Sequence, residues 1–564
     1  MNKVDGGFLV AQALRREGVS HVFTLVGGHV MPILYACRDA GIKIIDVRHE
    51  ATAVYAADAY ARVTGRPGVA VTTAGPGVLH TVAAMAEARD TGVPLIHIGG
   101  ASPLVESDTG PLQEGNTLEV MAAVSSWARR VHQVHRIPEY LSMAFREAGS
   151  VSPGPAYLEI PVDVLLGETV QENVLFPRAY RTEALSWGNP GLIEEAAKLI
   201  STAERPAIIV GNQARFSSSN GAALAELSDY IKAPVLAQTL VRGLFADEET
   251  HPCFSLGMAL PLLAKADLVL MLGVKNDYLI FKGRAPVFNP EARLIQVNPD
   301  PTRVGFNCPA DLGIVGGVEA VSGQLLDELR RTVPARTDHR WLEEAANEAM
   351  TLGAGFMNGF LSDELPMNPG WLAFEVSRFL SEQGRDWTLV IDGGDAAMWM
   401  GTAAKAHRPG QILTYGPSGT LGVGPGFALG AWVANGQPVL YFTGDGSFGL
   451  YPMEFDTFRK HGVPVVAVIS NDSSWGLIKL AENLIHPEQA AKGGCGLEDC
   501  QVTAYEKMAA MWGGCGELVV TPAEVGPALK RAAKTRLPAI INAEVSREAM
   551  SPIIQVFCDY FGAA

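Results

Sequence analysis

Cysteine, net positive charge and long apolar runs are all scarce in this sequence. Its 564 residues include seven cysteines, an odd number at irregular spacing, which predicts free thiols in a reducing compartment and no disulfide framework. Lys and Arg total 44 against 60 Asp and Glu, and the net charge of −16 disfavours nucleic acid or an anionic membrane as the main partner. No uncharged apolar run reaches about 18 residues, and the N-terminal stretch has no apolar core. We therefore expect no transmembrane helix, no signal peptide and a cytoplasmic location.

Charged residues are also few, at 18% of the chain against a typical value of about 25%. The chain has 48% hydrophobic residues and 60 glycines, a composition that excludes intrinsic disorder, collagen and coiled coil. A length of 564 residues predicts roughly three to four domains. Together these features predict a large α/β protein that buries surface in an assembly.

Short apolar runs alternate with helical patterns along most of the chain, which is typical of βαβ units and a parallel sheet. The clearest predicted strands are His21–Leu25, Leu268–Leu272 and Thr388–Ile391. We expect three doubly wound parallel-sheet α/β domains at residues 1–165, 191–330 and 368–546, with a linker at about 166–190. The first and third blocks share a strand, a glycine-rich turn and an alanine-rich helix, which indicates two related nucleotide-type folds.

Several common phosphate and metal motifs are absent. The chain has no GxxxxGK[ST] sequence, which excludes a P-loop. Frames of GxGxxG that begin at Gly422 and Gly424 have Phe427 and Leu429 at the sixth place, so the dinucleotide fingerprint is missing. The chain also lacks the paired Cys/His spacing that would predict a zinc site.

Two polar turns follow predicted strands about 25 residues apart in the third block. Gly444-Asp445-Gly446-Ser447 follows the strand 439–443, and Asn471-Asp472-Ser473-Ser474 follows the strand 465–470. The carboxyl ends of parallel strands meet at the ligand-binding edge of an open sheet. Carboxylates and a backbone carbonyl suit Mg²⁺, and glycine allows backbone N–H groups to approach phosphate. Two ordinary turns capped by Asp are the alternative.

This pair of turns resembles the signature of the thiamine-diphosphate-dependent enzymes. In that family the second residue of an Asn-Asn pair binds Mg²⁺ through its side chain, and the residue two places later binds through its carbonyl. The resemblance implies a metal site of Asp445, Asp472 and Ser474. The chain carries Asp at the second place of the pair, so Asn471 stays an alternative ligand.

The remaining cofactor contacts are also implied by the resemblance. Diphosphate contacts would come from the residues around the two glycine-rich turns: Gly394, Asp395, Gly444, Asp445, Gly446 and Ser447. Glu50 resembles the activating glutamate, whose carboxyl group bonds the aminopyrimidine ring and helps to remove the thiazolium proton. A helix N-terminal Glu favoured by the dipole is its alternative role. The Gly419 carbonyl would accept from the cofactor's amino group, and Leu421 would support its bent shape or belong to the core.

Within the family, the sequence looks closest to the branch of benzaldehyde lyase, 2-hydroxyacyl-CoA lyases and acetolactate-synthase-like proteins. The segments that carry this likeness are 23–29 (FTLVGGH), 48–51 (RHEA), 73–77 (TAGPG), 110–113 (GPLQ) and 474–476 (SWG). The likeness to benzaldehyde lyase implies that His29 relays protons to the substrate hydroxyl and that Gln113 hydrogen-bonds the substrate oxygen. A helix-capping role for His29 and a loop-capping role for Gln113 are the alternatives.

The implied substrate pocket departs from benzaldehyde lyase. Val162 stands where that enzyme has a large aromatic residue, Gly394 and Ala397 are small, and Leu477 is larger than expected. With Gly28, these residues form a reshaped pocket, so a benzoin substrate does not follow from the likeness.

The resemblance implies an enzyme that uses thiamine diphosphate and Mg²⁺ to cleave or form a carbon–carbon bond next to a carbonyl. Its small-molecule carbonyl substrate would be an acyloin, an aldehyde or a 2-hydroxyacyl compound. The alternatives are an acetolactate-synthase-like decarboxylation of a 2-oxo acid with ligation, and a non-catalytic cofactor-binding paralogue. Synthase relatives sometimes hold FAD in the middle domain, but no residues here indicate a site for it. The family forms its active site between subunits, which implies at least a homodimer and commonly a homotetramer.

Overall fold

Three parallel sheets of six strands each organise the part of the chain that the computed structural model describes. The described residues are 2–182, 185–217, 221–244, 253–255, 261–497 and 501–554. Every strand pairing within these three sheets is parallel. The expected architecture of three parallel-sheet α/β layers is therefore confirmed.

The first sheet is built from residues in the first 165 positions. Its strands, in spatial order, are β3 (Lys43–Asp46), β2 (His21–Leu25), β4 (Gly68–Thr72), β5 (Leu95–Ala101), β7 (Pro155–Pro161) and β6 (Trp127–Arg130). The helices of this part of the chain are α1 (Gly6–Arg16), α2 (Met31–Asp39), α3 (Glu50–Thr64), α4 (Pro76–Leu79), α5 (Val82–Thr91), α6 (Thr117–Val124), α7 (Ile137–Ala148) and α8 (Val162–Leu166). All residues of β4, β5 and β7 are buried, as expected for a parallel sheet covered on both faces.

A two-stranded antiparallel ribbon forms beside these elements from β1 (Lys3–Asp5) and β8 (Glu168–Val170). The sequence predicts an unstructured linker from about residue 166, and β8 corrects the start of that linker. Three residues are too few to show a strand period, and the partner strand is far away in sequence. The pairing of Val4 with Thr169 therefore could not be predicted from the sequence and is seen only in the structure.

The second sheet is built from residues of the middle block. Its strands, in spatial order, are β11 (Cys253–Ser255), β10 (Val235–Ala237), β9 (Pro206–Val210), β12 (Leu268–Leu272), β13 (Arg293–Asn298) and β14 (Leu312–Val315). The helices that precede or follow them in the described chain are α9 (Pro190–Thr202), α10 (Ala214–Ser217), α11 (Ala222–Ile231) and α12 (Val318–Thr332). The chain order reverses between β9 and β12, which is the pattern of a doubly wound sheet.

The third sheet carries the polar turns that the sequence singles out. Its strands, in spatial order, are β16 (Ile412–Thr414), β15 (Thr388–Ile391), β17 (Val439–Gly444), β18 (Val465–Asn471), β20 (Ala539–Glu544) and β19 (Cys515–Val519). The helices of the chain from residue 340 onward are α13 (Arg340–Phe360), α14 (Pro369–Gln383), α15 (Asp395–Ala403), α16 (Gly424–Asn435), α17 (Asp445–Phe448), α18 (Glu454–His461), α19 (Gly476–Ile485), α20 (Pro487–Ala490) and α21 (Pro522–Thr535). Gly444 pairs with Ser470, so β17 and β18 end side by side at the ligand-binding edge.

The chain divides by its internal contacts into two units. The first unit comprises Met1–Glu183, Tyr415–Gly436 and Tyr451–Val463, and the second comprises Ala184–Thr414, Gln437–Leu450 and Pro464–Ala564. Helices α16 and α18 thus belong to the first unit, although the strands next to them in sequence belong to the second. The domain bounds of 1–165, 191–330 and 368–546 stay a prediction.

Helix α16 joins the first unit because it packs closely on α3. A Cβ at Gly430 would lie 2.1 Å from the carbonyl oxygen of Ala56, and a Cβ at Gly426 would lie 2.4 Å from Cβ of Tyr55. Side chains at these two positions would force the helices apart. The Tyr55 and Phe427 rings meet edge to face with centroids 6.1 Å apart, an arrangement that favours aromatic pairs.

Among the described residues, no helix combines the length and the apolar character that a membrane crossing requires. Cys37, Cys308, Cys495 and Cys515 are free cysteines. Burial raises the pKa of the Cys37 thiol to about 12, so this cysteine packs as an unreactive apolar side chain.

Candidate active site

The segment of residues 73–80, here called the 73–80 turn, follows β4 in the first unit. The Thr73 Oγ1 lies 3.4 Å from Nδ1 of His29. Gly75 has a φ of +56°, and a Cβ there would lie 2.8 Å from the carbonyl oxygen of Gln113. Glycine is needed at this position for both its backbone conformation and this close contact. The turn therefore contacts two of the three residues that the sequence predicts as catalytic.

The same turn also contacts Glu50, the third of these residues. Glu50 is the first residue of α3, and it is only 8% exposed. Oε2 of Glu50 lies 2.9 Å from Nδ1 of His80, the last residue of the 73–80 turn. Oε1 has no hydrogen-bond partner among the described residues, so this oxygen is available to a ligand.

The backbone immediately before Glu50 is held by Glu454 of α18. The Glu454 Oε1 accepts hydrogen bonds from the backbone N–H groups of Arg48 at 3.0 Å and His49 at 2.9 Å. The Thr457 hydroxyl donates to the other oxygen at 2.7 Å. Burial raises the pKa of Glu454 above its usual value. This carboxylate fixes the point where the chain enters α3.

His29 is almost fully buried, in a short helical turn that follows β2. Burial lowers the pKa of its imidazole, and a hydrogen bond to the backbone of Leu112 opposes that shift. The ring is therefore neutral at pH 7 and can both accept and donate a proton. A Cβ at Gly100 would lie 2.9 Å from the Cβ of His29, so the glycine makes room for it.

Gln113 and Val162 are the other predicted site residues of this part of the chain. Gln113 is half-buried with a φ of +61°, in the left-handed region that glycine favours. Val162 is half-buried and begins α8, which packs against the 28–30 turn that contains His29. Gly28 of that turn is exposed, and a Cβ there would meet no atom within 4 Å. Gly28 thus has open space on the side where a side chain would project.

The glycine-rich turn 416–422 also belongs to the first unit. Gly419 has a φ of +63° and donates its N–H to the Gly416 carbonyl at 3.0 Å. The buried Glu87 carboxylate accepts from the Gly416 N–H, and the Ser418 hydroxyl donates to Asp90. Leu421 is only half-buried, unlike a core leucine. Helix α5 therefore anchors the turn while Gly419 and Leu421 stay accessible.

Three aspartates interact at the carboxyl ends of the third sheet, in the second unit. Burial raises the pKa of Asp395 to about 6 and raises the pKa of Asp445 well above its usual value. The negative charge of Asp472 raises both pKa values further. Burial also raises the pKa of Asp472, although the charges of Arg547 and Lys479 lower it. Carboxylates buried together in this way could hold a divalent cation.

The turns around these aspartates touch one another. Gly393 has a φ of +105°, and a Cβ there would lie 2.8 Å from the backbone nitrogen of Gly444. A Cβ at Gly394 would lie 2.7 Å from the Cβ of Leu477. The Ala397 N–H donates to the Gly394 carbonyl at 3.1 Å. The structure thus brings together the predicted pocket residues of the second unit.

The remaining predicted cofactor residues follow Asp445 in α17. Gly446 faces the Trp475 ring, which a Cβ would approach to 3.4 Å. Ser447 is buried in the same short helix. The backbone here is thus closely packed beside the Asp445 carboxylate.

Asn471 and Asp472 differ in what their side chains contact. The Asn471 amide donates to the Thr503 carbonyl at 3.2 Å and to Asn542 Oδ1 at 2.9 Å, and its own Oδ1 accepts from the Ser473 N–H at 3.0 Å. The Asp472 Oδ1 accepts from the Ser474 N–H at 2.9 Å. Both ends of the Asn471 amide are therefore engaged by protein groups.

Comparison with known proteins shows which family the chain belongs to. The chain matches three sequence-family models of thiamine pyrophosphate enzymes: the N-terminal TPP binding domain at residues 4–120, the central domain at 193–325 and the C-terminal TPP binding domain at 392–543. The chain belongs to the thiamine pyrophosphate enzymes. The family resemblance and the enzyme class expected from the sequence are thereby confirmed.

Relatives with assigned names span nearly the whole chain. A Mycobacterium bovis protein named probable acetolactate synthase is 35% identical over 96% of this chain and 95% of its own length. A Danio rerio protein named 2-hydroxyacyl-CoA lyase 2 is 32% identical over 91% of this chain and 86% of its own. The human protein of the same name is 31% identical over 92% of this chain and 87% of its own. The chain thus resembles two of the three members of the expected branch, the acetolactate synthases and the 2-hydroxyacyl-CoA lyases.

The described clusters fit thiamine pyrophosphate, also called thiamine diphosphate. Glu50 lies within the matched N-terminal binding domain, and Asp445 and Asp472 lie within the matched C-terminal one. A buried carboxylate with one free oxygen suits a nitrogen ring that needs a proton partner. Mutually repelling buried carboxylates suit a divalent cation that carries phosphate in its shell.

A second group of potential metal ligands surrounds Glu50. One ligand atom each from His49, Glu50 and His80 lies within 4.8 Å of the others. However, Nδ1 of His49 accepts the backbone N–H of Ala51 at 3.1 Å. A neutral ring with that acceptor carries its proton on Nε2, which then donates and does not ligate. We therefore assign no metal to this group.

Sequence reasoning missed two residues of the site, His80 and Glu454. His80 ends the segment TAGPGVLH, and the first five residues of that segment, 73–77, are among those that carry the family likeness. Its contact with Glu50 spans 30 positions, and the contacts of Glu454 with Arg48 and His49 span more than 400. No local pattern in the sequence signals either contact.

Proposed function

We propose that this enzyme binds thiamine diphosphate with Mg²⁺ and cleaves or forms a carbon–carbon bond next to a carbonyl. Its substrates would be acyloins, aldehydes or 2-hydroxyacyl compounds. The observation that carries the proposal is the grouping of His29, Gln113 and Glu50 around the 73–80 turn. A lyase of this class needs a proton partner for the cofactor and separate polar groups for the substrate oxygens.

The Mg²⁺ ligands in this proposal are the carboxylates of Asp445 and Asp472 and the backbone carbonyl of Ser474. The raised pKa values of both carboxylates support it, because a bound cation would relieve their repulsion. Asn471 is the less suitable ligand, since its Oδ1, the one side-chain oxygen that could bind the metal, already accepts from the Ser473 N–H.

Thiamine diphosphate, when bound, supplies a carbon nucleophile for the substrate carbonyl and an electron sink for the bond that breaks. Its diphosphate would meet the backbone at Gly394, Asp395, Gly444, Gly446 and Ser447. Gly419 would accept from its amino group, and Leu421 would pack beneath it. The positive φ of Gly419 and the partial exposure of Leu421 leave both free for these contacts.

The protein side chains would move and hold protons around that group. Glu50 would share a proton with the aminopyrimidine ring through Oε1. His29 would take the proton of the substrate hydroxyl as the bond to the neighbouring carbon breaks, because burial keeps its ring neutral. Gln113 would donate a hydrogen bond to the substrate oxygen. Gly28, Val162, Ala397 and Leu477 would bound the substrate.

A second candidate is acetolactate-synthase-like decarboxylation of a 2-oxo acid followed by ligation. The Mycobacterium bovis relative favours this candidate, because it is named probable acetolactate synthase and its similarity extends over 96% of this chain. A buried Arg or Lys placed to bind the substrate carboxylate would favour this candidate further. Arg48, the cationic side chain nearest Glu50 in sequence, instead donates to Asp456 at 2.8 and 2.6 Å. This pairing favours the lyase as the first candidate.

The assembly and location are part of the proposal. We expect at least a homodimer, and a homotetramer as the common form of the family. The free thiols among the described residues support a reducing compartment such as the cytoplasm. Gel filtration with light scattering would test the assembly, and a stable active monomer would contradict it.

A substrate panel tests the proposed reaction. Apo protein is loaded with thiamine diphosphate and MgCl₂ and offered benzoin, a 2-hydroxyacyl-CoA, simple aldehydes and pyruvate. We expect aldehyde release from an acyloin or 2-hydroxyacyl substrate, and no such release by Glu50→Gln. Release of CO₂ from pyruvate with acetolactate as the only product would establish the second candidate instead.

A further inference from the structure

His80 ends the 73–80 turn, and its ring lies against the Glu50 carboxylate. The backbone at His80 is held in place, since the His80 N–H donates to the Pro76 carbonyl at 2.9 Å and the Thr81 N–H donates to the Val78 carbonyl at 2.9 Å. Nδ1 of His80 and Oε2 of Glu50 are 2.9 Å apart, an ordinary hydrogen-bond distance. The side chain of His80 is about half exposed, while that of Glu50 is nearly buried.

We propose that His80 is a positioning residue that holds Glu50 in one rotamer and directs Oε1 toward the cofactor. This proposal rests on the proposed function, in which Glu50 is the cofactor's proton partner. A glutamate has three side-chain torsions and loses substantial rotamer freedom when it is fixed. One hydrogen bond to Oε2 supplies that restraint and leaves the other oxygen free.

No other described group can take over this role. His80 is the hydrogen-bond partner of the Glu50 side chain among the described residues. The His49 ring is stacked on His80 with centroids 5.0 Å apart, but its Nδ1 is occupied by the Ala51 N–H. The His49 ring also packs against the Tyr451 ring, with centroids 5.0 Å apart. His49 thus supports the His80 ring and does not replace its bond to Glu50.

The test uses side chains that keep or remove the donor at the Nδ1 position. In His80→Asn the amide nitrogen can occupy the place of Nδ1, whereas His80→Leu has a similar volume and no donor. His135→Leu is the matched control, because His135 is an exposed histidine of the same unit that makes no contact with Glu50. Each variant is measured as holoenzyme with thiamine diphosphate and Mg²⁺.

Three quantities are compared: the dissociation constant for thiamine diphosphate, the thermal unfolding midpoint, and the rate at which the C2 proton of the bound cofactor exchanges with deuterium. We expect His80→Leu to slow exchange roughly 10- to 100-fold, the size expected for one lost hydrogen bond to a charged group. Its cofactor affinity and unfolding midpoint should stay close to wild type. His80→Asn and His135→Leu should exchange at close to the wild-type rate.

Each outcome decides between the claims. Wild-type exchange in His80→Leu would overturn the positioning role and leave the proposed function intact. Equal slowing in His80→Asn and His80→Leu, with a lower unfolding midpoint in both, would show a merely structural role and also overturn it. A wild-type protein that binds no thiamine diphosphate, or binds it without C2 exchange, would overturn the proposed function and this proposal together.

Discussion

Oε1 of Glu454 lies 2.9 Å from the backbone nitrogen of His49, one residue before Glu50. The same oxygen accepts the N–H of Arg48, so one buried carboxylate receives two successive backbone donors. These donors belong to the last residues before α3, whose first-turn N–H groups lack partners within the helix. Glu454 therefore fixes the backbone of Glu50, while His80 contacts its side chain.

Replacing Glu454 with Gln tests this anchor. The Gln amide can present an N–H₂ group to the two backbone donors, so we expect the protein to lose about 1 to 3 kcal/mol of stability. Turnover should also fall, because the start of α3 is no longer held. Thermal unfolding and the substrate assay measure the two effects. Glu119→Gln, at an exposed glutamate of α6, is the control and should change neither. Unchanged stability and turnover in Glu454→Gln would refute the anchor.

Glu50→Gln separates cofactor binding from chemistry. The amide has nearly the same shape but cannot share a proton in the same way, so the variant should bind thiamine diphosphate and lose nearly all turnover. Equilibrium binding and the substrate panel provide the comparison. Wild-type turnover in this variant would remove Glu50 from its proposed role.

Asp472→Ala and Asn471→Ala distinguish the two Mg²⁺ ligands. Removing a ligand should weaken Mg²⁺ binding by at least about 10-fold, so Asp472→Ala should do so. Asn471→Ala should mainly lower the unfolding midpoint, because its amide bonds join Thr503, Asn542 and Ser473. Mg²⁺ titration and thermal unfolding of both variants give the ranking. The reverse ranking of Mg²⁺ affinities would make Asn471 the ligand.

The buried histidine of β5 predicts how stability depends on pH. His97 is fully buried between the hydroxyls of Thr72 and Thr81, and burial lowers its pKa from 6.5 to about 3. Between these values the unfolded chain binds a proton that the folded protein does not. Stability is therefore retained above pH 6.5 and lost as the pH falls toward 3, by about 1.4 kcal/mol per pH unit from this group.

His97→Asn removes this titration and tests the sign. The variant should be less stable than wild type at neutral pH, and its unfolding midpoint should fall less steeply as the medium is acidified. His132→Asn, at an exposed histidine, should keep the wild-type slope. Burial also lowers the pKa of His21, His29 and His49, so a residual slope of the same sign should remain. An equal slope in His97→Asn and wild type would contradict the assignment.

Strongly patterned elements were predictable from the sequence. The run Leu268–Leu272 is apolar throughout and forms the fully buried strand β12 at those residues. His21–Leu25 and Thr388–Ile391 likewise form strands with the predicted bounds. Burial on both faces of a parallel sheet demands such continuous apolar runs, so the sequence pattern alone reveals them. The strand β8 has only three residues, Glu168–Val170, too few to show a strand period, and was not predicted.

The site could be predicted from the sequence only where an acidic residue follows the end of a strand. Asp445 and Asp472 follow β17 and β18, so their proximity follows from a parallel sheet. The roles of His80 and Glu454 depend on contacts between distant parts of the chain. The turn 416–422 belongs with the first unit through Glu87, which no local pattern indicates. Long-range contacts of this kind are set by packing and not by periodicity.

Equilibrium binding of thiamine diphosphate to the apo protein tests the central claim most directly. Wild type and Asp445→Ala are compared with and without Mg²⁺, and the bound cofactor is counted per chain. We expect one cofactor per wild-type chain with Mg²⁺, and a large loss of binding after chelation or in Asp445→Ala. Binding that is equally tight without Mg²⁺ and in Asp445→Ala would contradict it.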